Sequence, residues 1–251
     1  MYESHPTFVQ PEDENVKVWR YMDFTKLVSL IDSGSLFFTR ADHLGDPFEG
    51  SWPKINVLAR QQPPDSLPSG SREGFVKVMA KLGEINREWP KHLAINCWHM
   101  NEHESAAMWK LYLKSDEGIA VQSTYSKLRA SITDAEQVFL GVVKYIDYET
   151  QGIDPGNILA SFVHKRKSFE HEREIRAVIT KWPTGDKGMD FTQETIGDGL
   201  NIKVDLEALI ERIYVAPSTP TWFSDLVRAL IQRYGYSFDV QHSKLNEQPV
   251  F

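Results

Sequence analysis

From Glu172 to Thr180 the chain reads Glu-Arg-Glu-Ile-Arg-Ala-Val-Ile-Thr, and its apolar members Ile175, Ala177 and Ile179 recur at every second position. That period belongs to a strand with one buried face. Successive strand side chains point to opposite faces, so a strand that starts at Glu172 sets Glu172, Glu174 and Arg176 together on the other side. Two carboxylates that close repel unless a cation lies between them, and Arg176 supplies only part of the compensation. Such a face is either a solvated ladder of ion pairs or the wall of a site.

The remainder of the chain bounds what surrounds this strand. Its 251 residues suffice for one large α+β domain or two small ones, and seven Trp and thirteen Phe can fill a sizeable core. Short strands alternate irregularly with helices, which favours a single mixed α+β domain over a doubly wound parallel sheet. The expected fold is a twisted, largely antiparallel sheet, open to a split, flanked by helices over residues 16–251. A loose acidic arm, residues 1–15, precedes it. Asp23 is positioned to cap a helix that ends at Gly34, and a strand from Ser35 to Arg40 follows. A helix is expected from Glu104 to Leu113 and a continuous strand from Val138 to Tyr148. Pro155 opens a helix that runs into the acidic strand, and Thr219 caps the last long helix.

Net charge is −7, and the longest basic run is His164-Lys-Arg-Lys167, which argues against non-specific duplex binding as the main task. The lone Cys97 excludes an internal disulfide and a cysteine-based zinc cluster, and it fits a reducing cytoplasm. No signal peptide or membrane-spanning stretch is legible, so a cytoplasmic protein is expected. Neither a Rossmann fingerprint nor a P-loop occurs.

Four segments place polar groups where the pattern predicts hydrocarbon. Arg40 closes the apolar row Leu36, Phe38, and needs an anion: Asp42, Asp46, a strand carboxylate or a bound phosphate or carboxylate. Asp46 and Glu49 flank Pro47 and Phe48 in a tight turn, with Phe48 expected to plug the core. Around the helix that begins near Ser105, Met108 and Trp109 fall on the inner side and Tyr112 carries a polar tip. His99, His103 and Glu104 have the look of a metal trio but lack an H-E-x-x-H, and no metal is assigned. Ser123 and Thr124 end a buried strand where a helix starts, which makes them caps or anion ligands.

The Asp46-Pro-Phe-Glu49 turn after its strand, the Met108, Trp109, Tyr112 helix before Gly118, and Lys165, Phe169, Glu172, Glu174 and Arg176 together carry a resemblance. From about Val18 to Thr180 the chain resembles a bacterial domain of unknown function, number 2971. Gly45 and Phe169 stand where that pattern has Asn and Trp. The order of elements is also similar to the ADP-ribosyltransferase layout. That resemblance implies NAD as a consumed substrate, Glu174 or Glu172 as the catalytic carboxylate, Tyr112 or Trp109 as the stacking ring, and Arg40 as the pyrophosphate anchor. Asp46, Glu49, His99, Ser123 and Arg176 are expected to line the ligand site, and a protein or nucleic acid could accept the ADP-ribose. A role in bacterial stress or phage defence would suit such chemistry. Two alternatives stay open. One is a metal-dependent hydrolase or nuclease using Asp46, Glu49, Glu172 and Glu174. The other is a non-catalytic nucleotide- or protein-binding module.

Overall fold

The computed structural model describes residues 1–112, 117–186 and 188–249. In chain order come β1 (Tyr2–Glu3), β2 (Lys17–Asp23), α1 (Phe24–Ser33), β3 (Ser35–Arg40), α2 (Lys54–Gln61) and α3 (Arg72–Glu88). Next are β4 (Leu93–Met100), α4 (Ala106–Tyr112), β5 (Gly118–Thr124), α5 (Tyr125–Ala130), β6 (Val138–Val142), β7 (Lys144–Ile146) and β8 (His164–Arg166). The last are β9 (Glu174–Thr180), β10 (Thr184–Gly185), β11 (Gly188–Met189), β12 (Gly199–Lys203), α6 (Leu206–Leu209), β13 (Arg212–Val215), α7 (Thr221–Arg233) and β14 (Val240–His242). Leu113, the expected end of α4, lies outside the described residues.

One mixed, mostly antiparallel sheet organises this single α+β domain, with the strand order β1-β6-β9-β4-β2-β5-β13-β14 and with β12 and β3 joined to β4. Helices flank it. Leu27, Leu30 and Ile31 of α1, Leu128 of α5, and Phe223, Val227 and Ile231 of α7 bury their apolar stripes against the same core as Ile175, Ala177 and Ile179 of β9. On the opposite face, Trp89, Leu93, Ile95, Phe162 and Val178 form a second core. The two-residue period of β9 therefore sorts its side chains as its sequence indicates.

The sheet is split, and its connectivity explains why. Asp23 caps α1 through its carboxylate and the Lys26 N–H (2.9 Å), so the chain leaves β2, crosses as a helix and returns as β3. Both strands pair with the same edge of β4, but at opposite ends. Thr39 and Arg40 oppose Ile95 and Ala94, whereas Trp19 and Val18 oppose His99 and Met100. Among the described residues, Asn96, Cys97 and Trp98 have no strand partner on that edge. Side chains occupy the gap: Arg20 Nη1 donates to the Cys97 carbonyl (2.7 Å), and Asn96 Nδ2 donates to the Phe37 carbonyl (2.8 Å).

Several local expectations are corrected. The strand expected from Val138 to Tyr148 breaks at Val143, whose N–H donates to the Glu174 carbonyl, while the N–H of Lys144 turns to Val163. The backbone has changed partners, so β7 pairs with β8 instead. That pairing also replaces the helix expected after Pro155 with two short 3-10 turns, Ile158–Phe162 and Lys167–Glu172. β9 consequently starts at Glu174 rather than Glu172. Pro220 precedes α7, and the Thr219 hydroxyl donates to the Ala216 carbonyl instead of capping the helix. Phe48 is 43% exposed and lies against the Arg166 guanidinium, not in the core.

The loose arm expected over residues 1–15 is tied down. β1 pairs in parallel with β6, and Phe8 is buried against Phe139 (ring centroids 5.3 Å apart). Gly141 makes this contact possible, since a Cβ there would stand 2.8 Å from Phe8 Cα. Gly141→Ala should displace the arm at a cost of about 2 kcal/mol, within the usual range for overpacking. Urea unfolding measures the loss, and new protease cleavage within residues 1–15 locates it.

Candidate active site

A cavity of about 830 Å³ runs through the fork of the sheet. Its lining includes Lys26, Ser29 and Leu30 of α1 and Asn201 of β12, and Arg20, Phe37, Cys97 and Trp98 from the fork. It also includes the charged cluster of Asp46, Glu49, Lys165, Glu172, Glu174 and Arg176, with Phe169 beside it. Tyr112 and Met108 of α4 wall one side with Tyr21 and His99.

The charged end is built from β9 outward. Arg176, 1% exposed, donates from Nε to Glu174 (2.7 Å) and from its two terminal nitrogens to both oxygens of Glu49 (2.5 and 2.9 Å). It also donates to the Phe162 carbonyl (2.8 Å). Its five donors form a rigid fork that only a guanidinium provides. Lys165 of β8 reaches Glu174 (3.3 Å) and ion-pairs with Glu172. Asp46 accepts from Arg166 (2.7 Å) and from the Phe48 N–H, which sets the turn carrying Glu49. Gly50 allows that turn with φ of 69°, and a Cβ there would meet the Phe162 ring at 2.6 Å.

The protonation of these groups follows from charge counting. Burial raises the Glu49 carboxyl, but its bidentate geometry with Arg176 is that of an ionised carboxylate. Burial would also raise Glu174, but Arg176 and then Lys165 outweigh it and hold this carboxyl below the ordinary range. Two carboxylates then balance two cations. Glu172 is the surplus acid, and burial followed by repulsion from Glu174 raises its pKa. When Glu172 loses its proton, the cluster carries one uncompensated negative charge.

Arg20 is the reverse case. It lies half-buried in the fork, burial lowers its pKa, and among the described residues it has no carboxylate partner. A guanidinium has five donors, and the one bond to the Cys97 carbonyl engages one of them among the described residues. Tyr112 stacks on Tyr21 at 6.5 Å and presents its ring to the cavity, and burial raises its hydroxyl pKa. His99 donates from Nδ1 to the Glu172 carbonyl (2.6 Å), and burial lowers its pKa. The Cys97 thiol is pushed up to about 12, first by burial and then by Glu174, so it is no nucleophile.

Of the residues expected from sequence to form the site, Asp46, Glu49, His99, Tyr112, Glu172, Glu174 and Arg176 line this one cavity. Three lie elsewhere. Arg40 is held by Asp42 (2.7 Å), the Ile196 carbonyl and Glu194, a fixed ion pair outside the cavity lining. Trp109 packs edge-on to Tyr21 and donates to Glu104 (2.9 Å), a core role. The Ser123 hydroxyl donates to the Leu209 carbonyl (2.5 Å) on the far face, and Thr124 caps α5 by accepting from Lys127 N–H. Arg20, which sequence reasoning does not single out, carries the same signal as Arg40, since it sits between Val18 and Met22 in an apolar row. The metal-dependent alternative finds its four carboxylates already paired with Lys165, Arg166 and Arg176. Among the described residues no His, Cys, Asp and Glu side chains are grouped to hold a metal.

No protein-family model matches the chain, so the resemblance to family 2971 rests on the quoted residues alone. No curated protein matches it either. Among solved structures, the chain is similar to Thermus sp. 2.9 DarT in complex with NAD+, at a TM-score of 0.43 and 9% identity over 94% of this chain and 98% of that one. The same protein in complex with ADP-ribosylated ssDNA matches with a TM-score of 0.41 at 9% identity, covering 94% and 97%. Likeness at these scores fixes neither fold nor chemistry, which rest on the geometry above.

The two glutamates should respond oppositely to neutralisation. Glu174→Gln strips a carboxylate from buried Arg176 and Lys165, and should cost about 3 kcal/mol or more. Glu172→Gln reproduces the protonated state and should leave stability at pH 7 unchanged or raised. Because the folded pKa of Glu172 is raised, its stabilising contribution is complete below the ordinary carboxylate range and is lost as pH climbs through the folded value. The depressed Glu174 contributes above the ordinary range and loses its contribution as pH falls through its folded value. Chemical denaturation of both variants across pH checks the two signs.

Proposed function

We propose that the chain binds NAD as a substrate in the forked cavity and cleaves its nicotinamide–ribose bond, as an ADP-ribosyltransferase or glycohydrolase. The observation that carries this reading is that Arg20, which has no carboxylate partner among the described residues, lines the same cavity as the Glu172–Glu174 pair. A dinucleotide has a phosphate-rich middle and a cationic pyridinium ring toward one end. Arg20 would take the pyrophosphate, and Tyr112 would cover the nicotinamide. The carboxylate cluster would face the C1′ atom on which positive charge develops as nicotinamide leaves.

The electrostatics favour bond cleavage over simple binding. A fixed negative charge in a site shielded from water stabilises a growing cation without reorganising solvent. With Glu172 ionised, the cluster carries that charge, and Lys165 and Arg176 hold the carboxylates in place. The chemistry therefore needs Glu172 in its deprotonated form. The ADP-ribose would pass to water or to a nucleophile on a protein or nucleic acid. The lone, unreactive cysteine suits action in the cytoplasm. Among the described residues no helix is long and apolar enough to cross a membrane.

Nicotinamide release by the purified protein tests the proposal, with NAD-induced thermal stabilisation as the binding readout. Arg20→Met should remove most of that stabilisation, because it deletes a charge-assisted contact of roughly 2 kcal/mol; the ligand-free melting temperature, which loss of the bond to the Cys97 carbonyl lowers, serves as the variant's own baseline. Release should rise with pH through the raised Glu172 pKa, and Glu172→Gln should abolish that rise. Thermal stabilisation by Mg²⁺ and not by NAD would sink the proposal.

A further inference from the structure

Among the described residues, Arg173 is the one non-glycine residue with positive φ, at 42°. A left-handed backbone brings the Cβ of an L-residue too close to its own carbonyl, and glycine is its natural occupant. The Arg173 side chain gives little reason for its presence. It is exposed, lies outside the cavity lining and reaches Asn101 Oδ1 (3.0 Å). Its backbone, by contrast, sits between the two acidic residues of the site.

That backbone is held from three sides. His99 Nδ1 donates to the Glu172 carbonyl (2.6 Å), and the Met100 N–H donates to the Arg173 carbonyl (2.8 Å). The Glu174 N–H donates to the Tyr145 hydroxyl (2.8 Å). β4 and β7 thus clamp three successive residues around one strained conformation. Strain persists only where the surroundings over-determine it, and it collects at working sites. Here the turn ends the 3-10 segment Lys167–Glu172 and starts β9 within a single residue. Both carboxylates consequently reach Lys165.

We propose that the left-handed backbone of Arg173, clamped by His99, Met100 and Tyr145, is the positioning element that sets Glu172 beside Glu174 over Lys165. His99 belongs to this clamp as a positioning residue. The inference rests on the proposed NAD chemistry only for its kinetic readout. Around Glu172 stand Lys165 from β8, Glu174 from β9, His99 from β4, Tyr112 from α4 and Tyr145 from β7. A displaced Glu172 loses Lys165 and Glu174 together, and its titration returns to that of an ordinary glutamate.

The test compares Arg173→Gly, Arg173→Ala and Arg173→Val, with Glu172 titrated by carbon NMR of its labelled carboxyl. Glycine accepts the left-handed region freely, alanine at a cost, and a β-branched residue hardly at all. The glycine variant should keep the wild-type Glu172 titration and kcat. The valine variant should titrate Glu172 in the ordinary range and lose about tenfold or more in kcat, with KM for NAD held within about twofold. Alanine carries the same Cβ as the native arginine and should keep the wild-type titration; if the valine variant does not fold, Tyr145→Phe, which removes the hydroxyl that accepts from the Glu174 N–H, decides the matter by returning Glu172 to the ordinary range. Equal behaviour of glycine and valine, or a glycine variant that has lost the wild-type titration, overturns the positioning role, as does a Tyr145→Phe variant that keeps it. Absence of nicotinamide release from the wild-type protein would defeat the NAD proposal alone, because the titration still decides whether Arg173 positions Glu172.

Discussion

The buried guanidinium of Arg176 is the interaction on which the site depends. It ties Glu49 in the turn after β3 to Glu174 on β9 and to the carbonyl of Phe162 ahead of β8. Three segments distant in sequence are locked together by one side chain. Removing such a charge from water is expensive, and its attraction to the carboxylates repays the cost only when every donor is satisfied. With Lys165 added, the cluster is neutral while Glu172 keeps its proton and carries one negative charge once that proton is lost. A group whose ionisation decides the net charge of a closed cluster is well placed to control what enters beside it.

The second constraint is topological. β2 and β3 both pair with β4, but α1 lies between them in the chain and carries them to opposite ends of that edge. A continuous sheet would have satisfied the backbone of Asn96–Trp98 with a strand. The fork leaves it to Arg20 and opens a passage instead. One guanidinium, Arg176, is thus used up by carboxylates. The other, Arg20, makes one hydrogen bond to a carbonyl and meets no carboxylate among the described residues. That difference separates a cation consumed by the fold from the one the proposed NAD site would use.

Much of this was legible in the chain. The alternation at Ile175, Ala177 and Ile179 gave the strand and its two faces, because a period of two survives any tertiary context in which one face is buried. The crowding of Glu174 and Arg176 on the other face pointed to a charged cavity wall, and both residues line the cavity. Arg40 shows where such logic stops. Its apolar row did demand an anion, but Asp42, two residues along, satisfied the demand. The chain alone does not distinguish an arginine with a local carboxylate partner from one without, and Arg20 has none among the described residues. The helix expected after Pro155 failed for a related reason, since the pairing of β8 with β7 overrode local preference. Glu172 reached the cavity even so, through the turn at Arg173 that no periodicity announces.

A crystal structure with a non-cleavable NAD analogue tests the central claim most directly. The account predicts the pyrophosphate on the Arg20 guanidinium within the fork of β2, β3 and β4. It also predicts the nicotinamide riboside against Tyr112, with its anomeric carbon facing Glu172 and Glu174. An analogue seated outside the fork, with Arg20 still bound only to the Cys97 carbonyl, would contradict it.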